Sequence, residues 1–138
     1  MIELALRAFL TLLVVVDPVG IAPVFLALAG DRPKAEQARI ARRAVVVGGG
    51  VLFFFALGGP WLLGKLGISM DAFRIAGGIL LFRIAVGMVL AAHERETREE
   101  EEEARERADV SVFPLAIPLI AGPGAMASTM ILVGQAGS

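Results

Sequence analysis

One carboxylate lies deep inside an apolar stretch, because Asp17 falls near the middle of the run 4–29. A charged side chain at that depth in a bilayer is costly and in most cases serves an ion or solute pathway. We therefore expect Asp17 to hold a proton or to pair with a cation. The alternative, which is compatible with the first, is that its side chain caps a helix that starts at the next residue.

The residues after Asp17 break the helical pattern. Pro18 has no N–H to donate to the carbonyl group of Val14, and it disfavours helical geometry at the residue before it. Backbone groups that are opened at membrane depth need hydrogen bonds from neighbouring helices, water or a solute. We predict a broken span with a substrate- or ion-binding site, to which we assign Asp17, Pro18, Gly20 and Pro23. Gly20 and Pro23 are expected to shape the break rather than to touch the solute through their side chains.

A second apolar stretch, 112–133, is also interrupted by prolines and glycines, and its part 114–124 cannot form an ordinary helix. A helix that restarts near Gly124 would direct free N–H groups and the positive end of its dipole into the bundle. We assign the binding of the anionic end of a solute to this break, at Gly122, Pro123 and Gly124.

Two hydroxyl groups follow the second break. Ser128 and Thr129 lie in the first turns of the predicted helix and could donate hydrogen bonds to a solute, so both are candidate site residues. Hydrogen bonds back to the carbonyl groups of their own helix are at least as well expected.

The two breaks resemble each other in sequence. Pro18 and Pro23 have the same spacing as Pro118 and Pro123, and glycines lie near both pairs. Paired spans that are interrupted by Gly and Pro are a pointer to a transporter site built on inverted repeats. If the breaks meet, the first supplies a negative carboxylate and the second a positive helix end. A small zwitterion such as an amino acid would match both, as would a hydrated cation with a counter-anion.

Two arginines fall in the third apolar stretch. Arg83 lies near its middle, where an arginine is expensive, and we predict that it pairs with Asp17. The alternatives are that Arg83 extends toward the interface or contacts a solute carboxylate. Arg74 follows Asp71 at a spacing that favours an interfacial ion pair on a helix. The single histidine, His93, is expected at the interface, at the end of the same helix.

The composition excludes several classes of protein. Hydrophobic residues make up 57% of the 138 residues and the net charge is −1, so a soluble domain of this size would have too little polar surface. The sequence has no strongly basic patch of the kind that indicates nucleic-acid binding. Because the chain has no cysteine, disulfides and thiolate-bound metals are excluded. We expect no cofactor, metal or catalytic residue, since Asp17 has no second carboxylate at its depth and the serines have no deep histidine.

Four stretches are long and apolar enough to cross a bilayer, which takes about 20 residues. They predict an all-α, polytopic helix bundle whose first and fourth helices are broken. Their approximate bounds are 4–29, 44–66, 72–92 and 112–133, with a charged loop at 93–111. The alternative for the first stretch is a cleaved signal peptide that ends at Ala27-Leu28-Ala29. Its length and the Asp-Pro at its middle favour a span.

Basic residues set the predicted orientation, because lysine and arginine are enriched in short cytoplasmic loops. Loops 30–43 and 93–111 carry most of them. We predict a multi-pass protein of the cell membrane, with both loops cytoplasmic and the N-terminus outside. The acidic block 94–109 contributes little to this rule and is expected to be a solvated helix or linker.

Three sequence blocks resemble the MarC family of integral membrane proteins. They are residues 17–28 (DPVGIAPVFLAL), 67–82 (GISMDAFRIAGGILLF) and 114–125 (PLAIPLIAGPGA), in the order of the family. The resemblance implies a bundle of six membrane helices. Some members are described as neutral amino acid transporters, which implies a secondary transporter of a small polar solute coupled to an ion or proton. The implied partners are the lipid bilayer, the solute and the coupling ion.

The chain departs from the pattern of the family in two places. Family members have two further membrane helices, whereas this chain stops at Ser138, and Arg83 lies where an apolar residue is expected. The first departure predicts a truncated product with an incomplete second repeat. The alternative function is then a non-transporting membrane subunit with a structural or interaction role. A homo-oligomer would supply further helices, although a parallel dimer would not rebuild an inverted repeat.

Overall fold

The computed structural model describes residues 2–89 and 109–136. The elements in chain order are α1 (Ile2–Val16), α2 (Pro18–Ala29), α3 (Lys34–Lys65), α4 (Met70–Val89), an irregular segment (Ser111–Ile120) and α5 (Pro123–Ala136). Neither described range contains a strand, so the prediction of an all-α fold is confirmed.

Helices lie at the four predicted membrane stretches, as far as the structure describes these stretches. Within the described residues, Ile2–Ala29 and Lys34–Lys65 are long and apolar enough to cross a membrane. A third span results if the irregular segment and α5 form one span with a bend of 53°. The first and fourth stretches are therefore the broken ones, as predicted. The third stretch lies in α4 as far as Val89, whereas His93 and the acidic block up to residue 108 lie outside the described residues.

The helix α3 starts at Lys34, after Pro33, which makes no side-chain capping hydrogen bond. The extended backbone of Pro33 (ψ 144°) delays the helix to the following residue. The helix then continues through Pro60 to Lys65, so Pro60 does not end it.

The helix α5 is the central element, since it contacts α1, α3 and α4, while the irregular segment packs against α3. A hydrophobic core joins the end of α2, the first turns of α3 and the irregular segment. The buried members of this core cluster are Leu28, Ala29, Ile40, Ala44, Val110 and Leu115. Because Leu28 and Ala29 are part of this core, the first stretch is packed as an element of the bundle.

Glycines of α3 lie against the irregular segment and α5. A Cβ atom at Gly48 would lie 2.7 Å from Cγ2 of Ile120, and one at Gly59 would lie 2.5 Å from Cε of Met130. At Gly58, beside the second contact, a Cβ atom would meet no atom within 4 Å. Small residues thus permit the close approach of helices that packing in membranes requires.

Contacts along α5 fix its direction relative to its neighbours. The two glycine contacts above follow the same order along α3 (Gly48, Gly59) and along the second broken span (Ile120, Met130), so this span runs parallel to α3. On α4 the order is reversed: a Cβ atom at Gly77 would lie 3.2 Å from Cβ of Ala127, and one at Gly134 would lie 3.1 Å from Cε of Met70. The helix α5 is therefore antiparallel to α4.

Large apolar side chains cover the outer surface of the bundle. On α3, Phe53, Phe54, Leu57 and Trp61 are between 65% and 68% exposed. In water, a contiguous apolar surface of this kind marks an interaction site or promotes aggregation. In a bilayer it faces lipid, which agrees with a multi-pass membrane protein.

Candidate functional site

Asp17 separates α1 from α2 and caps the second helix. Its backbone is left-handed (φ 49°, ψ 66°), and its Oδ1 accepts a hydrogen bond of 3.0 Å from the backbone N–H of Gly20. The N–H of Asp17 still donates to the carbonyl group of Leu13 at 3.1 Å, and its carbonyl group accepts from Ile21 at 3.0 Å. The capping role is therefore confirmed, while an ion-linked role stays a prediction.

Pro18, Gly20 and Pro23 shape this first break. Pro18 is the first residue of α2, where a missing N–H is well tolerated. A Cβ atom at residue 20 would overlap Oδ2 of Asp17 and lie 2.9 Å from its Cγ, so a side chain there would force the capping carboxylate to shift. Pro23 lies within α2 and removes the helical hydrogen bond to the carbonyl group of Val19.

The second break has a different form. Phe113 and Ile117 each precede a proline and have extended backbones, with φ −129°, ψ 127° and φ −130°, ψ 121° respectively. Both peptide bonds to the following prolines are cis. The N–H of Ala121 donates to the carbonyl group of Ala116 at 2.8 Å, one residue beyond the α-helical spacing. Regular helix resumes at Pro123, which confirms the predicted restart.

Two glycines flank the start of α5. A Cβ atom at Gly122 would lie 2.6 Å from the carbonyl oxygen of Pro118, and Gly124 is buried. The first N–H groups of a helix have no partner within the helix, and they carry the positive end of its dipole. The start of α5 can therefore receive an anionic group. The binding of a solute at Gly122, Pro123 and Gly124 stays a prediction.

The two hydroxyl groups of α5 have different surroundings. Oγ1 of Thr129 donates to the carbonyl group of Ala125 at 2.7 Å, so the hydrogen bond to its own helix is confirmed for Thr129. Ser128, which is 4% exposed, lines a groove of about 430 Å³ formed by α1, α4 and α5. Ser128 is therefore the better candidate for a hydrogen bond to a solute.

Three polar residues that we did not assign from the sequence also line this groove: Arg7 and Thr11 of α1, and Gln135 of α5. Its apolar walls are Leu10, Leu81, Ile131 and Leu132. A concave surface with apolar walls and a few polar groups is the usual form of a small-molecule site. Arg7 and Thr11 share one helix face by their spacing, but nothing in the sequence pairs that face with α5.

Each of the two breaks lies between two regions where the helices contact each other, the core cluster on one side and the groove on the other. On one side, Phe25 of α2 and Ile120 of the irregular segment pack against the same core cluster. On the other side, Thr11 of α1 and Ser128 of α5 line one groove. Each break lies between these two regions along its own span. Each break therefore lies inside its span between the core cluster and the groove, and within the described residues no hydrogen bond or ion pair joins Asp17 to the second break.

The predicted pair of Arg83 with Asp17 is not formed in this structure. Arg83 is exposed on α4, and the carboxylate of Asp17 is turned to the start of its own helix. The ion pairs in residues 2–89 and 109–136 are Arg32–Glu36, Arg43–Asp109 and Arg74–Asp71. The last of these, with Nη1 of Arg74 3.2 Å from Oδ1 of Asp71, confirms the predicted pair on α4.

The chain is similar over nearly its whole length to one protein family. A family model described as MarC family integral membrane protein matches residues 2–138. No solved structure matches the chain.

Curated relatives of the chain are named as UPF0056 membrane proteins. MJ0972 of Methanocaldococcus jannaschii is 42% identical over 130 residues, which are 92% of this chain and 57% of the relative. YvbG of Bacillus subtilis is 37% identical over 135 residues, which are 96% of this chain and 64% of the relative. YhcE of Escherichia coli is 37% identical over 127 residues, which are 91% of this chain and 59% of the relative. The chain thus spans 57% to 64% of the length of these relatives.

Proposed function

The chain belongs to the MarC family of integral membrane proteins, and from this premise we propose that it takes part in secondary transport of a small polar solute, coupled to an ion or a proton. Neutral amino acids are the proposed class of solute. A zwitterion carries an ammonium group that a carboxylate can bind and a carboxylate that a helix N-terminus can bind.

The observation that carries this proposal is the pair of broken spans, each interrupted between the core cluster and the groove. The first span is interrupted at Asp17 and the second at residues 121–122, and a new helix starts directly after each interruption. Half-helices that start at membrane depth are the usual framework of solute sites in secondary transporters. A plain membrane anchor needs neither of these breaks, because a continuous helix satisfies every backbone group.

Each candidate residue has a proposed role. Asp17 carries the coupling ion or proton, and the start of α5 at Gly122, Pro123 and Gly124 binds the anionic end of the solute. The hydroxyl group of Ser128 donates a hydrogen bond from the groove side. Pro18, Gly20 and Pro23 shape the first break, and Thr129 stabilises α5. The exposed side chain of Arg83 extends from α4 toward the interface.

The proposed orientation places the N-terminus outside and loops 30–43 and 93–111 in the cytoplasm, because these loops carry most of the basic residues. The chain has no cysteine, so single cysteines can be introduced and labelled without background labelling of native cysteines. The cysteine of K34C should react with a membrane-impermeant maleimide only after the membrane is permeabilised. Cysteine at Gly67, in the turn between α3 and α4, should react in intact cells.

Uptake into proteoliposomes tests the function itself. The purified chain is reconstituted, a proton or sodium gradient is imposed, and the uptake of labelled neutral amino acids is followed. Uptake that depends on the gradient and stops when an ionophore collapses it supports the proposal. If no neutral amino acid is taken up under either gradient, the result contradicts the proposal and favours the alternative, a non-transporting membrane subunit.

A further inference from the structure

The groove formed by α1, α4 and α5 contains polar side chains that have no partner in the described part of the chain. Ser128 is 4% exposed, and Arg7 and Thr11 line the groove opposite to it. None of these three side chains forms a hydrogen bond or an ion pair with another residue of 2–89 or 109–136. Because a buried hydroxyl group without a partner is costly, a groove lined in this way is suited to a polar ligand.

The groove runs along the bundle from the first turns of α1 toward the two breaks. A short connection joins the span that contains α1 to α3, so these two spans are antiparallel, and the second broken span runs parallel to α3. The helix α1 is therefore antiparallel to α5. Arg7 lies toward Gln135, near the end of α5, and Thr11 lies toward Ser128. Asp17 follows Thr11 by six residues, so the Thr11 end of the groove is the end nearer the first break.

Arg7 lies away from the acidic loop 93–111. The residues outside the described part of this loop follow Val89, which is the last residue of α4. Met70, the first residue of α4, packs at the level of Gly134, which is beside the Arg7 end of the groove. Val89 lies 19 residues after Met70, which is about 28 Å along the helix. The acids of the loop are therefore attached at the other end of α4.

Arg7 and Asp17 are too far apart to bind one amino acid at the same time. They are ten residues apart along α1, which is about 15 Å on the helix axis. One carbon atom joins the ammonium and carboxylate groups of an α-amino acid. A solute that is held by Arg7 must therefore move along the groove before its ammonium group meets Asp17, so binding in the groove is a separate step.

We propose that this groove is a capture site, in which the guanidinium group of Arg7 binds the carboxylate of the solute before the solute reaches the breaks. The inference rests on the proposed transport function, and it makes Arg7 a specificity-determining residue. Arginine binds a carboxylate through paired, charge-assisted hydrogen bonds. Thr11 and Ser128 supply hydroxyl groups along the groove, and its apolar walls, which include Leu10 and Leu81, cover an uncharged side chain of the solute.

Equilibrium binding to the purified full chain in a neutral detergent tests the capture site without any ion gradient. The probes are two analogues of leucine: 4-methylpentanoate, which lacks the ammonium group, and 3-methylbutylamine, which lacks the carboxylate. R7Q should weaken the binding of 4-methylpentanoate about tenfold, as expected for the loss of charge-assisted hydrogen bonds. R7K should restore part of this affinity, because lysine keeps the charge and lacks the planar fork. Binding of 3-methylbutylamine should not respond to R7Q.

K65Q is the matched control for the loss of a positive charge. Lys65 is exposed in the last turn of α3, at the same end of the bundle as Arg7, and it does not line the groove. K65Q should change the affinity for 4-methylpentanoate less than twofold. Arg7 is exposed as well, so R7Q should fold, and equal unfolding midpoints of R7Q and K65Q check this.

Uptake into proteoliposomes separates the capture site from the transport function. R7Q should raise the KM for leucine and leave the maximal rate unchanged. Equal effects of R7Q and K65Q on 4-methylpentanoate, or a wild-type KM in R7Q, would overturn the capture site and leave the transport function in place. Absence of uptake by wild type would contradict the transport function instead, whereas binding of 4-methylpentanoate that depends on Arg7 would still support a carboxylate site in the groove.

Discussion

The backbone N–H of Gly20 donates to the carboxylate of Asp17 at 3.0 Å, and the missing side chain of Gly20 is what makes room for that carboxylate. A Cβ atom at this position would overlap Oδ2 of Asp17. The two residues therefore form one structural unit at the first break. Any substitution at Gly20 acts on Asp17 as well.

G20A should be less stable than G50A, because both gain the higher helix propensity of alanine but only the methyl group at residue 20 displaces the capping carboxylate. Loss of an N-cap costs about 1 kcal/mol, so the midpoint of thermal unfolding in detergent should be lower for G20A. G50A is the control, since a Cβ atom there meets no atom within 4 Å. An unfolding midpoint for G20A equal to that of G50A would show that the carboxylate does not need this space.

G59A should also destabilise the protein, whereas G58A should not. The methyl group at residue 59 meets Met130, which is 3% exposed and has little room to move, so overpacking costs about 1 kcal/mol or more. The methyl group at residue 58 faces open space. Thermal unfolding of both variants in the same detergent compares them directly, and equal midpoints would contradict the close packing of α3 on α5.

The helix breaks could be predicted from single residues. Pro18 lacks an N–H and restricts the residue before it, which locates the end of α1 without any knowledge of packing. The restart of α5 at Pro123 follows in the same way from the prolines and glycines before it. The capping alternative for Asp17 was also accessible, because an aspartate before a proline is a common helix start.

Other features depend on contacts between elements that are distant in sequence. The groove between Arg7, Thr11 and Ser128 exists because α1 packs against α5. The residue pattern of one helix does not predict which other helix packs against it. The same holds for Arg83, whose position near the middle of the third apolar stretch suggested an ion pair with Asp17. That carboxylate is instead satisfied three residues along its own chain, a local interaction that competes with any distant one.

The two hydroxyl groups of α5 should differ in their effect on transport. Ser128 lines the groove, whereas Thr129 donates to Ala125 within its helix. S128A should reduce solute uptake, and T129V should leave it unchanged while lowering stability by about 1 kcal/mol, the net value of one hydrogen bond. Uptake assays and thermal unfolding on both variants measure the two effects. Equal uptake by S128A and wild type would remove Ser128 from the site.

Asp109, which accepts hydrogen bonds from Ser111 and pairs with Arg43, should make a small, pH-dependent contribution to stability. The pKa of Asp109 is lower in the folded than in the unfolded state, because hydrogen bonds from Ser111 favour the carboxylate. The contribution is complete above the unfolded pKa of about 3.9 and is lost as the pH falls through the lower folded value. D109N should therefore cost less than about 1 kcal/mol at neutral pH, since the side chains are 58% and 42% exposed.

Thermal unfolding of D109N and wild type across the acidic range measures this contribution. The difference between their midpoints should disappear once Asp109 is protonated in the folded protein. A difference that grows on acidification would have the wrong sign for a lowered pKa.

The central claim, that Asp17 links solute movement to an ion, is tested most directly by D17N in proteoliposomes. Asparagine keeps an oxygen for the N–H of Gly20 and tolerates a left-handed backbone, so the cap and the fold should persist. Only the negative charge is removed. D71N is the matched control, because Asp71 is an exposed acid paired with Arg74 on α4.

The measurement is solute uptake with and without an imposed ion gradient, for wild type, D17N and D71N. We expect D17N to lose the uptake that depends on the gradient, while its unfolding midpoint stays close to that of wild type. We expect D71N to retain that uptake. Gradient-dependent uptake by D17N at the rate of wild type would contradict the claim and would leave Asp17 as a helix cap alone.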